Sequence, residues 1–158
     1  MPGRKIYFAL LFFAIGFFGC SPDDDKVTGL NDEVVHDYSL TDINSSSETY
    51  LETISPGYFQ GEITLHYFGH QNWGTCSALV GYLDALYNDL LDEGIDNVKI
   101  VAIGKSQYSG NNSNWTDRNS IPVLADLSPN NIWTSWGANQ RDLFFLNLDG
   151  DYVIDFNI

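Results

Sequence analysis

YFGHQNWGTCSALVGYLDAL, residues 67–86, decides the fold of this 158-residue chain. It opens as the end of an apolar strand, breaks around Gly69 and Gly74, and continues with apolar positions at steps of three and four. Leu79, Val80, Leu83, Leu86, Tyr87, Leu90 and Leu91 fall on one face of a helix predicted over residues 76–91, which Asp92, Glu93 and Gly94 end. Before it, EITLHYFG (62–69) alternates and is rich in β-formers, so it is predicted as a central strand. After it, NVKIVAIG (97–104) is a nearly continuous β-branched run, as expected of a strand buried on both faces. Strand, helix and strand joined by short turns predict a right-handed βαβ unit with parallel strands.

The flanking segments extend this unit into an α/β sandwich. Residues 36–61 have short apolar patches broken by Ser, Asn and the Pro56-Gly57 turn signal, and read as a strand, a polar turn and a short helix or loop. KSQYSGNNSNWTDRNS (105–120) is predicted as a loop with a helical turn near Trp115, and IPVLAD (121–126) as a short strand. SPNNIWTSWGA (128–138) reads as a short helix capped by Ser128 and Pro129 and closed at Gly137. RDLFFLNLDGDYVIDFNI (141–158) is a hairpin about Asp149-Gly150. No internal repeat is visible.

With 44% hydrophobic and 15% aromatic residues, the chain supports one well-buried core, and one folded domain over residues 36–158 is expected. The formal net charge is −14, and all 21 acidic residues lie after position 20. Such a surface argues against nucleic acid as a partner and against electrostatic docking on anionic lipid, but not against a covalent anchor. MPGRKIYFALLFFAIGFFGC, residues 1–20, has a basic start at Arg4 and Lys5 and an apolar run from Ile6 to Phe18, shorter than a bilayer-spanning helix. It resembles a bacterial lipoprotein signal, with FFGC as a loose lipobox. The resemblance implies a signal peptide over residues 1–19, lipid on the thiol of Cys20, and a place in the cell envelope, at the periplasmic or outer-membrane face. Residues 20–35 then form an acidic, solvated tether. A lipidated Cys20 leaves Cys76 as the one free thiol, with no internal disulfide and no cysteine zinc site.

EITLHYFGHQNWGTCSALVGYLDAL and IPVLADLSPNNIWTSWGANQRDLFFLNLDGDYV together resemble the thioredoxin-like redoxins, and most closely the branch that includes the amino-terminal domain of selenoprotein P. The likeness spans roughly residues 36–158 and implies a thioredoxin-like fold, a central mixed β-sheet flanked by helices. In that family the strand-to-helix turn carries Cys-x-x-Cys, or selenocysteine in the first place. Here Leu83 and Leu86 match the leucines after the motif, which puts Cys76 at its second position and Trp73 at its first. The motif is a WxxC. A dithiol mechanism needs one thiol to attack and another to resolve, so internal two-cysteine turnover is not expected.

The peroxiredoxins, relatives with the same fold, place a reactive cysteine at this second position and an arginine just before the strand that leads to the Asp-Gly turn. Arg141 stands at the corresponding spacing, where many thioredoxin-like proteins carry a cis-proline. A helix start and a nearby guanidinium both favour thiolate. One expectation is therefore single-cysteine thiol chemistry at Cys76, on thiols, disulfides or peroxide, with Arg141 as electrostatic partner, Thr75 as a helix-start hydroxyl and His70 as a proton donor or acceptor. The peroxiredoxin pattern also asks for an upstream Pro and Thr or Ser, where Gly69 and Trp73 stand. The other expectation is a binding module without catalysis. In that reading Cys76 is a buried small hydrophobe, His70 is bonded to local backbone, Arg141 pairs with a neighbour such as Asp142, and Trp73, His70 and YSGNNSNW (108–115) face a partner.

Trp133 and Trp136 are expected as core anchors, His66 as a core or sheet residue and His36 as the edge of the tether. NLDGD (147–151) lacks the ligand ladder of a calcium loop, so neither a metal nor a cofactor is assigned. Family members continue past the hairpin with a helix on the sheet. Without one, some of Phe144, Phe145, Ile154 and Phe156 would be uncovered, a patch that favours homodimers.

Overall fold

The computed structural model describes residues 34–158. The expected signal peptide (1–19), Cys20 and nearly all of the tether (20–35) lie outside the described residues. A short antiparallel pair, β1 (Leu40–Thr41) and β2 (Thr53–Ile54), precedes the strand β3 (Ile63–Gly69). Helix α1 (Gly74–Asp92) follows, then β4 (Val98–Lys105). A 3-10 turn over Ser106–Asn111 leads into the one-turn helix α2 (Ser113–Thr116) and then β5 (Val123–Asp126). A second one-turn helix, α3 (Ile132–Ser135), is followed by the hairpin β6 (Asp142–Leu146) and β7 (Tyr152–Asn157).

The five long strands form one mixed sheet in the order β5-β4-β3-β6-β7. EITLHYFG is thus the central strand, parallel to β4 and antiparallel to β6. The side-chain period of two sends alternate residues to opposite faces. Leu65, Tyr67, Ile100 and Ala102 pack with Cys76, Val80 and Leu83 of α1 and with Trp115. Phe68, Val101, Ile103 and Phe144 pack on the other face with Tyr38, Ile54, Trp133 and Trp136. Both tryptophans of α3 and its cap are core anchors, as the sequence predicts.

The amino-terminal segment is held to the sheet by buried polar groups. The carboxylate of Asp42 accepts hydrogen bonds from Asn44 N at 2.9 Å, Val123 N at 3.0 Å and Thr49 Oγ1 at 2.8 Å. Asn44 Nδ2 donates to the carbonyls of Asn119 and Ile121, each at 2.8 Å. On the other side, Asp84 of α1 accepts from Ser120 Oγ at 2.9 Å and Ile121 N at 3.0 Å. These bonds satisfy turn amides that burial would otherwise leave unpaired.

Three details differ from expectation. Helix α1 begins at Gly74, two residues earlier, with Trp73 at its N-cap and no side-chain cap. Ser128 does not cap α3, which starts after Asn131, because Asp126 at the end of β5 accepts the Trp133 amide at 3.1 Å and sets the first turn there. Phe144 is not on the uncovered face. It points to the α3 side and is buried, whereas Ile154 and Phe156 on the α1 side are 52% and 45% exposed.

His66 lies in the middle of β3 with no exposed surface, its Nε2 3.0 Å from the Tyr38 hydroxyl and its ring edge-on to Trp136. Burial, and secondarily His36, lowers its pKa from 6.5 to about 3. Below 6.5 the unfolded chain binds a proton that the folded chain refuses, so stability falls as pH drops from 6.5 toward 3. The expected slope from this group reaches about 1.4 kcal/mol per pH unit. Urea denaturation between about pH 6.5 and 5, above the usual carboxylate range, checks it. His66→Gln should be markedly flatter there, and equal slopes would remove His66 as the source.

Candidate functional site

The turn between β3 and α1 is built on two glycines. Gly69 and Gly104 are register partners in the parallel β3-β4 pair. A Cβ on Gly69 would stand 2.7 Å from the Tyr67 ring and 3.0 Å from that of Trp115. A Cβ on Gly104 would collide with the amide of Gln71, which is fully buried above it. Gln71 Nε2 donates to Asn112 Oδ1 at 3.0 Å, and Asn114 Nδ2 donates to the Gln71 carbonyl at 2.7 Å. The turn and the 108–115 loop are therefore one unit. Gln71 escapes a reading that treats turn amides as solvated, but Gly104 at the end of a β-branched run is a usable signal, since a strand glycine marks close approach.

Two environments result, one inside and one facing out. Inside, Cys76 sits in the first turn of α1 with no exposed surface, among Tyr67, Val80, Leu83 and Trp115. Its Sγ accepts a hydrogen bond from Gln140 Nε2 at 3.3 Å. The Tyr67 hydroxyl has no hydrogen-bond partner, and burial, reinforced by Cys76 and weakly opposed by Arg141, pushes its pKa up. Gln140 was not singled out by the sequence, and a polar residue beside a candidate arginine offers no signal of its own. Arg141 itself is exposed, with φ at +73°. Its amide donates to the Phe68 carbonyl at 2.7 Å, and its guanidinium donates to Asn157 Oδ1 at 3.2 Å on β7. The direct contact with the sulfur thus comes from residue 140, one before the arginine.

Outside, Trp73 is 51% exposed. Its ring meets His70 edge-on at 5.8 Å, and His70 also packs against Tyr108 at 4.6 Å and Trp133 at 5.5 Å. Lys105 places its ammonium 4.7 Å from the centre of the Trp133 ring. Burial, followed by Lys105, lowers the His70 pKa, so the ring is neutral at pH 7. Neither His70 nitrogen has a partner, so the expected backbone bond is not formed. Thr75 is exposed in the first turn of α1. The structure thus joins Trp73, His70 and Tyr108 on one surface, while Trp115 at the end of the 108–115 loop is buried with Cys76.

Among the described residues no three or more His, Cys, Asp or Glu side chains are placed to hold a metal ion, and no helix is long and apolar enough to cross a membrane. No family model matches the chain, and no curated protein matches it. Solved structures do. StoA from Bacillus subtilis is similar with a TM-score of 0.60 at 18% identity, over 78% of this chain and 90% of that one. The pneumococcal exposed lipoprotein thioredoxin Etrx1 from Streptococcus pneumoniae gives 0.57 at 19%, over 77% and 88%. The thioredoxin domain of a thiol-disulfide oxidoreductase from Bacteroides vulgatus gives 0.58 at 13%, over 75% and 82%. The fold is thioredoxin-like, an α/β mixed sheet with flanking helices, and at these identities the likeness speaks to fold alone.

The Gly104 contact is testable. Gly104→Ala should destabilise the domain by about 1–3 kcal/mol, the range for overpacking a filled site. The Gly104→Ala/Gln71→Ala double variant should lose less than the sum of the single changes, because they share one contact. Strict additivity in urea denaturation would disprove the coupling.

Proposed function

We propose that this chain is a thioredoxin-fold binding module that recognises a protein partner with the turn end of α1 and does not turn over disulfides. One observation carries the reading. At the motif position that the sequence resemblance gives to the nucleophile stands a half-exposed tryptophan, while the one cysteine among the described residues has no exposed surface. Thiol exchange requires a thiolate that can reach the attacked sulfur. An exposed indole braced by His70, itself packed on Tyr108 and Trp133, has instead the make-up of a binding hot spot, where truncation typically costs about 2 kcal/mol or more.

A second reading keeps Cys76 as a one-cysteine redox centre, with Arg141, Thr75 and His70 in support and a peroxide, thiol or disulfide as substrate. It is favoured by the amide that Gln140 aims at the sulfur and by the position of Cys76 in the first turn of a long helix, both of which suit thiolate. The thiol-disulfide oxidoreductase name of the Bacteroides vulgatus neighbour lends it support. Kinship with the selenoprotein P branch rests on the sequence motifs and belongs to the same proposal.

Iodoacetamide labelling, read by mass spectrometry on the peptide that contains Cys76, separates the two. The binding reading expects Cys76 in the folded protein to label at least 100-fold more slowly than in urea. Fast labelling of the folded protein, slowed by Arg141→Ala, would move the conclusion to the redox reading. For location, we propose export and a lipid anchor on Cys20 at the cell envelope, a reading that fits the neighbour described as an exposed lipoprotein. Cys20→Ser should abolish incorporation of radiolabelled fatty acid in cells, and undiminished incorporation would refute the anchor.

A further inference from the structure

On the sheet face away from α1, a groove of about 940 Å³ runs between the first described residues and the β6-β7 hairpin. Its aromatic part holds Trp136, Phe144, Tyr152 and His36. His36 stacks on Tyr152 with ring centres 4.5 Å apart and meets Trp136 edge-on at 5.0 Å. The groove is also lined by Asp37, Asp149, Asp151 and Asp155, by the buried Asp142, whose oxygens accept from Asn139 N and Asn157 Nδ2, and, among the described residues, by neither lysine nor arginine. Burial lowers the His36 pKa despite Asp155, so among the described lining residues none carries a positive charge at pH 7.

We infer that this groove is a docking site for a basic, extended polypeptide segment, whose lysine or arginine side chains meet the exposed carboxylates and lie against the Tyr152 ring. The volume is large for a single side chain and lies in the range of ligand sites. No three of the carboxylates converge as a metal site would require among the described residues. The Tyr152 ring adds attraction for ammonium or guanidinium that a purely acidic surface lacks, while Trp136 and Phe144 are buried. Tyr152 is 43% exposed, so its ring remains within reach of a ligand, although its hydroxyl already donates to Asp155 Oδ1 at 2.6 Å. The inference is independent of the Trp73 reading, because Trp73, His70, Tyr108 and Trp133 do not line the groove.

Fluorescence anisotropy of the full chain with labelled (Lys-Ala)5 and (Glu-Ala)5 peptides tests it. Binding of the lysine peptide alone, weakened by salt, is expected. The Asp149→Asn/Asp151→Asn variant, whose turn amides are held by Asn147 Oδ1 and not by the altered carboxylates, should lose at least tenfold. The Asp89→Asn/Asp92→Asn variant removes the same charge from α1 and should change affinity less than twofold. In nitrogen-resolved NMR the indole signal of Trp136 should shift while that of Trp115, buried on the other face, stays. No binding, equal losses in the two variants, or an unmoved Trp136 signal would overturn the site. Spermidine binding as tightly as the peptide would overturn the polypeptide assignment.

Discussion

The level at which β3 ends in Gly69 and β4 passes through Gly104 governs this molecule. Because β3 and β4 are parallel, Gly69 and Gly104 lie side by side at the carboxyl end of the sheet. The two missing side chains leave room for the Tyr67 ring on one face and the Gln71 amide above the strands. Gln71 then ties the turn to Asn112 and Asn114, and the 108–115 loop brings Trp115 down against Tyr67 and Cys76. The direction of α1, the burial of the thiol and the presentation of Trp73 all follow from this packing. Crevices at strand carboxyl ends are where open α/β sheets bind ligands, so a constraint on shape is here also a constraint on function.

The parts of the fold that were legible in the sequence are those set by periodicity. The β-branched run of β4, the three-four spacing of α1 and the Asp-Gly hairpin each declare one structure over enough residues that tertiary context does not override them. The helix start was misplaced because Trp73 is not a capping side chain, and the usual N-cap signal is absent at that end. The cap of α3 was misassigned to Ser128 because its donor is satisfied by Asp126, a strand residue that joins the helix only in three dimensions. Asp42, Asn44 and Asp84 were invisible for the same reason. In one dimension each is a polar residue in a polar stretch, and only the folded chain shows the turn amides and carbonyls they meet.

The candidate site divides along the same line. Trp73, His70 and the loop they share were legible because they are neighbours in the chain or in the motif. Gln140 was not, since its role depends on the β6 approach laying residue 140 next to the first turn of α1. Arg141 was legible as a residue type at a suggestive spacing, but spacing does not fix where a long side chain goes. Its backbone is tied to Phe68 and Ile158, while its guanidinium turns to Asn157.

What Cys76 does turns on exposure more than on polarity. A sulfur that receives one amide hydrogen bond is a satisfied small filler when neutral and a stabilised anion when ionised, so the Gln140 contact fits both states. The helix start is equally ambivalent, since its free amides are present whether or not a thiolate faces them. Access is different in kind. A nucleophile must come within bonding distance of its target, and here the thiol has no exposed surface, packed among Tyr67, Val80, Leu83 and Trp115. A chain that kept Cys76 for chemistry would need this packing to open. A chain that kept it for packing needs only the apolar neighbours Tyr67, Val80, Leu83 and Trp115, all of which are in place.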